Sequence, residues 1–190
     1  VETQLDKTIY DYLAERNGIT VEQIKEQYGF INDMAAEVGL KYQLDTAILV
    51  NTRNAHRLIQ IAKKEGKDSY AEELLFKAYF TENKNIDDKS ILENIAISLG
   101  IKKEEFNAQL LSKEIDTEID NDIYQSKQIG VRGVPFFLMN NEVSISGAQD
   151  TQVFINTLQK SWENWHVKSQ EKPSSNEGKA CSAEGNCEIE

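Results

Sequence analysis

The sequence predicts an α/β chain that is predominantly helical and closes with a helix, a β-hairpin and a further helix. Three observations carry that prediction. Apolar residues recur at helical spacing through most of the 190 residues. Capping and stop signals divide that pattern into segments of ordinary helix length. One stretch departs from it, Gly130-Val-Arg-Gly-Val-Pro-Phe-Phe-Leu-Met139, continuing through Asn140-Asn-Glu-Val-Ser-Ile-Ser-Gly-Ala-Gln149. There a short apolar, aromatic-rich run, Phe136 to Met139, leads into the turn residues Asn140, Asn141 and Glu142, and Val143 to Ser146 alternates apolar and polar residues after them.

Composition bounds what such a chain can be. With 39% hydrophobic and 28% charged residues it has the make-up of a soluble globular protein large enough to bury a core. No run of about 18 apolar residues is present to cross a membrane. The formal net charge of −11 argues against nucleic acid or an anionic lipid surface as partner, because phosphate contact needs clustered Lys and Arg. The acidic residues are spread along helical segments and read as solvated faces. No apolar signal segment is seen, and the expected location is the cytoplasm. Both cysteines, Cys181 and Cys187, fall in the last ten residues, so a disulfide-stapled scaffold is excluded.

From Val1 to about Gly18 an amphipathic pattern runs through Leu5, Ile9, Tyr12 and Leu13 and predicts a helix stopped at Asn17-Gly18. Thr20 and Gln23 have capping-box spacing and open a second helix. It is expected to run to about Gly39, burying Ile24, Tyr28, Ile31, Met34, Ala35 and Val38, with Phe30 also packed in the core. Lys41 to Val50 has no clear period and reads as a loop. Asn51 or Thr52 can cap the next helix, which faces Ala55, Leu58, Ile59 and Ala62 inward. His56 sits among these apolar neighbours.

Ser69 to Phe80 reads as a further helix with Leu74, Leu75, Ala78 and Tyr79 on its apolar side. Asp87 and Asp88 lack the ligand spacing and central Gly of an EF-hand, and their expected role is to cap the helix from Lys89 to Leu99. Two more helices follow over Lys102 to Leu111 and Ile115 to Ile129, the latter directing Ile115, Ile119, Ile123 and Tyr124 toward a core. Gly130 and Gly133 supply the freedom for a helix-to-strand corner. Pro135 stands at the start of the first hairpin strand, where a missing N–H is tolerated. Spacing alone leaves its peptide isomer open. A last helix from Thr151 to about Trp165 is expected to be buried through Val153, Phe154, Thr157, Leu158 and Trp162, and the polar segment from Gln170 to Glu190 to be disordered.

The Gly-Val-Pro-Phe-Phe and Val-Ser-Ile-Ser-Gly-Ala-Gln stretches resemble the C-terminal half of a thioredoxin fold, and more narrowly the DsbA-like thiol-disulfide oxidoreductases of the FrnE type. Two further stretches carry the same resemblance: Asn51-Thr-Arg-Asn-Ala-His-Arg-Leu58, and Leu75-Phe-Lys-Ala-Tyr-Phe80 with Asn85-Ile-Asp-Asp88. The first of these also resembles 2-hydroxychromene-2-carboxylate isomerases and kappa-class glutathione transferases. The resemblance implies an α/β thioredoxin-like fold with a large inserted helical domain. It implies an inserted helical domain over residues 1–114, the C-terminal half of the thioredoxin-like domain over 115–166, and a tail over 167–190. It implies that Pro135 is cis, that the backbone of Val134 lines a substrate groove, and that Asn51, Thr52 and His56 line the pocket beside it. Protein or small-molecule thiols and disulfides are the implied substrates, with no cofactor.

The Cys-x-x-Cys of those relatives has no counterpart between Val1 and Ala180. It precedes the position that matches Val1, within a β-α-β unit of about 30 or more residues. The expectation is an N-terminally incomplete member whose first unit comes from the same gene or another chain. Cys181 and Cys187 enclose five residues, enough to close a small disulfide loop, and no His or further Cys completes a zinc site. The resemblance makes them an accessory dithiol; Glu184, Glu188 and Glu190 would raise their pKa, and two idle thiols is the alternative. Two other functions stay open, a glutathione-dependent isomerase or transferase relative and a non-catalytic helical binding module.

Overall fold

The computed structural model describes residues 2–170. The chain forms two compact units, the first ending at Tyr124 and the second beginning at Gln125. The first contains β1 (Gln4–Thr8), α1 (Ile9–Asn17), α2 (Val21–Tyr28), α3 (Phe30–Glu37) and β2 (Ile48–Leu49). It continues with α4 (Arg53–Lys63), α5 (Asp68–Phe76) and its π-helical turn Lys77–Thr81, α6 (Lys89–Ser98) and α7 (Lys103–Gln109). Most of α8 (Lys113–Gln128) belongs to it too. The second unit holds β3 (Phe136–Met139), β4 (Val143–Ser146) and α9 (Thr151–Gln170).

The helix expected from Val1 begins only at Ile9, and the reason lies at Thr8. Its hydroxyl accepts from the Asp11 N–H while its own N–H donates to the Asp11 carboxylate, closing a capping box with Thr8 in extended conformation. The residues before it are thus held extended, and Gln4–Thr8 pairs antiparallel with Ile48–Leu49, which the sequence had placed in a loop. Leu5, expected on the apolar face of a helix, is exposed. Tyr10 and Ala14 are buried instead.

The single helix expected from Thr20 to Gly39 is two. A Cβ at Gly29 would stand 2.6 Å from the Lys25 carbonyl oxygen, and the helix is interrupted at this residue between α2 and α3. The break places Ile24 in a small core with Tyr10, Ala14 and Leu44, and Ala35 is buried as well. It leaves Phe30 and Met34 outside, 55% and 58% exposed, with Val38 also exposed. These three were expected inside.

The larger core gathers Leu58, Ile61 and Ala62 of α4, Ala71 and Leu75 of α5, Leu92 and Ala96 of α6, Phe106 of α7 and Ile115 and Ile119 of α8. Phe106, Leu58, Leu92 and Ile115 are fully buried. Each such side chain contributes about 1.5–3 kcal/mol by leaving water. Ile123 and Tyr124, expected to follow Ile115 and Ile119 inward, are exposed. Asp88 caps α6 as expected, accepting from the Ser90 and Ile91 N–H groups. Asp87 does not share that role: it accepts from Thr3 Oγ1 at 2.6 Å and Asn54 Nδ2 at 2.7 Å, tying the chain start to α4.

Charge fixes α4 against α8. Arg57 grips Asp116 with both arms of its fork, Nε to Oδ1 and Nη2 to Oδ2, each at 3.0 Å. Arg53 Nε reaches the same Oδ1 at 3.1 Å and its Nη1 reaches Asp120 at 2.9 Å. The Arg57 guanidinium, with Arg53 beside it, holds the Asp116 carboxyl below the usual carboxylate range.

In the second unit the hairpin matches the expected strands. Phe136 faces Ser146 and Met139 faces Val143 across it. Asn140 and Asn141 both take positive φ, the conformation that Asn tolerates best after Gly. Asn140 Nδ2 donates to Ser161 Oγ at 3.0 Å and the ring edge of Phe137 meets Phe154, so α9 lies along the hairpin on the Phe154, Thr157 and Ser161 stripe. Val153, Leu158 and Trp162 were expected in that contact and are exposed, because a two-stranded sheet covers a narrower arc than the apolar arc of the helix. The helix also runs on to Gln170, past the stop expected near Trp165. Among the described residues no helix is long and apolar enough to cross a membrane.

Two outcomes test this packing. Phe106→Ala should cost about 3–5 kcal/mol in urea or thermal unfolding, whereas Phe30→Ala at an exposed site should stay within about 0.5 kcal/mol; equal losses would contradict the burial pattern. Because the Asp116 pKa is depressed in the folded chain, its contribution is complete above the unfolded-state value of about 3.9 and is lost as pH falls through the folded value. Asp116→Asn should therefore flatten the acid limb of a stability-against-pH curve below about pH 4 and leave its shape unchanged above about pH 6.

Candidate functional site

The first unit holds an open cavity of about 680 Å3 whose walls come from six segments. The N-terminal turns of α4 supply Thr52, Ala55, His56, Ile59 and Gln60. The face of α5 and its π-helical turn supplies Glu72, Leu75, Phe76, Tyr79 and Phe80. Leu49 and Val50 of the β2 region, Ile9, Ile86, and Asp122 of α8 complete it.

Local sequence explains why these walls meet. The α4 periodicity that buries Leu58 and Ala62 in the core turns Ala55, Ile59 and Gln60 along the cavity. The wider π turn over Lys77–Thr81 brings Tyr79 and Phe80 to the same wall as Leu75 and Phe76. That turn is held from outside: Gln43 donates its N–H to the Phe80 carbonyl at 2.8 Å and its Nε2 to the Thr81 carbonyl at 2.6 Å. Tyr42 stacks on Phe80 with ring centroids 4.9 Å apart, and Tyr79 meets Phe80 edge-on at the same separation. The Tyr79 hydroxyl donates to the Ile48 carbonyl at 2.8 Å, and burial pushes its pKa up. The phenol therefore serves as a neutral hydrogen-bond donor that pins the wall to β2.

Polar groups gather at the open side. Thr52, His56, Glu72 and Asp122 are exposed lining residues. Gln60 is buried and reaches toward this rim, its Nε2 donating to Asp122 Oδ2 at 2.6 Å. Among the described residues no Lys or Arg lines the cavity. Among the described residues no group of three or more His, Cys, Asp or Glu side chains is placed to hold a metal ion.

The sequence-derived candidates are distributed as follows. Thr52 and His56 stand on the cavity rim. Asn51 organises the start of α4 instead of lining it: its Oδ1 accepts from the Arg53 N–H at 2.8 Å and its own N–H donates to Thr3 Oγ1. Thr52 occupies the N-cap position without a side-chain cap bond, which leaves Asn51 as the side chain that closes the helix end. Val134 and Pro135 belong to the second unit. The peptide bond between them is cis, Val134 is 87% exposed, and the Pro135 carbonyl accepts from the Gly147 N–H at 2.8 Å. Among the described residues β3 pairs with β4 alone, so its other edge presents backbone groups for further pairing. Cys181 and Cys187 lie outside the described residues.

Sequence reasoning missed Glu72, Gln60 and Asp122. Phe76, Tyr79 and Phe80 were within the quoted Leu75 to Phe80 stretch, and their aromatic spacing was the available signal. Nothing local pointed to Asp122, which reaches the site from a helix 62 positions after Gln60.

The sequence matches the family described as DSBA-like thioredoxin domain over residues 6–159, a span that takes in the cavity-forming helices, the hairpin and much of α9. No curated protein matches the chain significantly. Among solved structures, that of a probable DsbA oxidoreductase from Streptomyces coelicolor is similar, with 26% sequence identity and a TM-score of 0.77 over 85% of this chain and 70% of that one. The fold is the mostly helical α/β form of the thioredoxin architecture, and the chain belongs to the DSBA-like thioredoxin domain family.

Proposed function

We propose that this chain is part of a FrnE-type thiol-disulfide oxidoreductase acting in the cytoplasm on protein disulfides. The observation that carries the reading is the family match over residues 6–159, supported by likeness to a protein named as a probable DsbA oxidoreductase. In this reading the attacking Cys-x-x-Cys lies in polypeptide outside the sequence, since its two cysteines, Cys181 and Cys187, do not form that motif. One thiolate of the dithiol attacks a substrate sulfur and forms a mixed disulfide, displacing the other substrate sulfur as a thiolate. The second thiol then attacks the mixed disulfide, so that two electrons pass to the substrate and the enzyme dithiol becomes a disulfide.

The chain's own residues would bind and position. Val134 and Pro135, exposed at the head of β3, would hold the substrate backbone beside the reacting sulfurs. Thr52 and His56, with Asn51 fixing the start of α4, would shape a pocket of the first unit that receives substrate groups. Cys181 and Cys187 would relay electrons as an accessory pair.

Two measurements test this. Insulin reduction driven by dithiothreitol should show little turnover with the chain alone, and that turnover should fall to background in the Cys181→Ser, Cys187→Ser double variant; activity that survives in the double variant would sink the assignment. In the gene product carrying the Cys-x-x-Cys, Val134→Glu should raise KM for a disulfide-bonded protein several-fold. Because the site is exposed, stability should change by no more than about 0.5 kcal/mol. An unchanged KM removes Val134 from the substrate groove.

A further inference from the structure

We infer that the cavity of the first unit takes an apolar polypeptide segment bearing a lysine or arginine. The inference rests on the proposed action on protein disulfides, and names the kind of substrate segment that the helical unit would hold. Size is the first argument. A volume of about 680 Å3 lies within the ~300–1,000 Å3 of ligand sites and exceeds what one apolar side chain fills, so several side chains of a segment can enter together. The floor is apolar and buried at Val50, Leu75 and Ile86, and Phe76 offers an exposed aromatic face at the opening.

Charge decides the rest. Glu72 and Asp122 reach the opening from different helices, α5 and α8, and among the described residues no Lys or Arg lines the cavity to balance them. The two arginines of α4 are committed elsewhere, Arg57 to Asp116 and Arg53 to Asp116 and Asp120. Asp122 accepts from the neutral amide of Gln60, and among the described residues neither it nor Glu72 is in an ion pair. An apolar floor under an uncompensated acidic rim attracts a cation attached to apolar groups and repels a carboxylate. The net charge of −11 adds a long-range field of the same sign. Glutathione, which carries a net negative charge, is a poor fit to such an opening.

The test uses the full chain and fluorescence anisotropy with labelled seven-residue peptides. One has leucine and phenylalanine around a lysine and an arginine; a second replaces the cations by glutamates; a third replaces the apolar residues by serines. The cationic apolar peptide should bind roughly tenfold more tightly than the glutamate peptide, the scale expected of two partly exposed charge contacts, and the serine peptide should not bind. Glu72→Lys, at an exposed position, should narrow or invert the preference between the first two. Ile59→Trp should weaken the first peptide by filling the cavity. Equal binding of the lysine and glutamate peptides, a preference unmoved by Glu72→Lys, displacement by glutathione at equal concentration, or binding of hexylamine without any peptide binding would each overturn the inference. Peptide recognition with the expected charge preference and no thiol chemistry in the gene product supports it while sinking the oxidoreductase reading. Thiol chemistry without that preference does the reverse.

Discussion

Helix α4 has to satisfy three different surroundings at once, and the first unit is built around that requirement. Successive residues of a helix step about 100° around its axis, so the directions of all its side chains are fixed together. Leu58, Ile61 and Ala62 must enter the core. Arg53 and Arg57 must meet Asp116 on α8. Thr52, Ala55, His56 and Ile59 are then left to face the cavity. A rotation of α4 that improved one contact would break the other two. The cavity wall is thus a consequence of core packing and ion pairing elsewhere on the same helix.

The two kinds of contact do different work. Apolar burial is large and without direction, and supplies most of the stability. Charge contacts between partly exposed groups add less, but they are directional. The Arg57 fork accepts one carboxylate orientation, and Asp116 Oδ1 is shared between Arg53 Nε and Arg57 Nε. That sharing ties two successive turns of α4 to one point on α8. Asp122, further along α8, is thereby brought to the Gln60 amide and to the cavity rim. The network acts as a register pin between helices that the core alone would let slide.

What the sequence revealed follows from the range of each interaction. Capping boxes and turns act within four residues, so Asp88, Thr20 with Gln23, and the hairpin around Asn140 and Asn141 were legible. Strand β2 was not, because two residues form a strand only through a partner more than 40 positions away, between Gln4 and Leu49. Thr8 with Asp11 was a local capping signal overlooked because Leu5 and Ile9 continued the helical pattern across it. Buried faces were misjudged where apolar stripe and packing partner differ in width. In α9, Ser161 is buried and Trp162 is 60% exposed, since the stripe that meets the hairpin is set by Asn140 and Phe137, not by hydrophobicity. At the candidate site the local reading reached Thr52 and His56 but could not supply the carboxylates of Glu72 and Asp122.

Those carboxylates change what the site can be. A histidine on a helix beside aromatic residues fits a glutathione-binding pocket as readily as a groove for a protein substrate, and the stretch around His56 resembles proteins of both kinds. The two ligands differ in sign at the point where they meet the rim. Glutathione brings two carboxylates and one ammonium group, and holding it calls for Lys, Arg or backbone N–H donors. The carboxylates of the lining, Glu72 and Asp122, only accept. Arg53 and Arg57 carry positive charge in the first turns of α4, and the ion pairs that pin α4 to α8 engage it. The interaction that sets the helix register also sets the sign of the cavity, and this favours the polypeptide over the tripeptide.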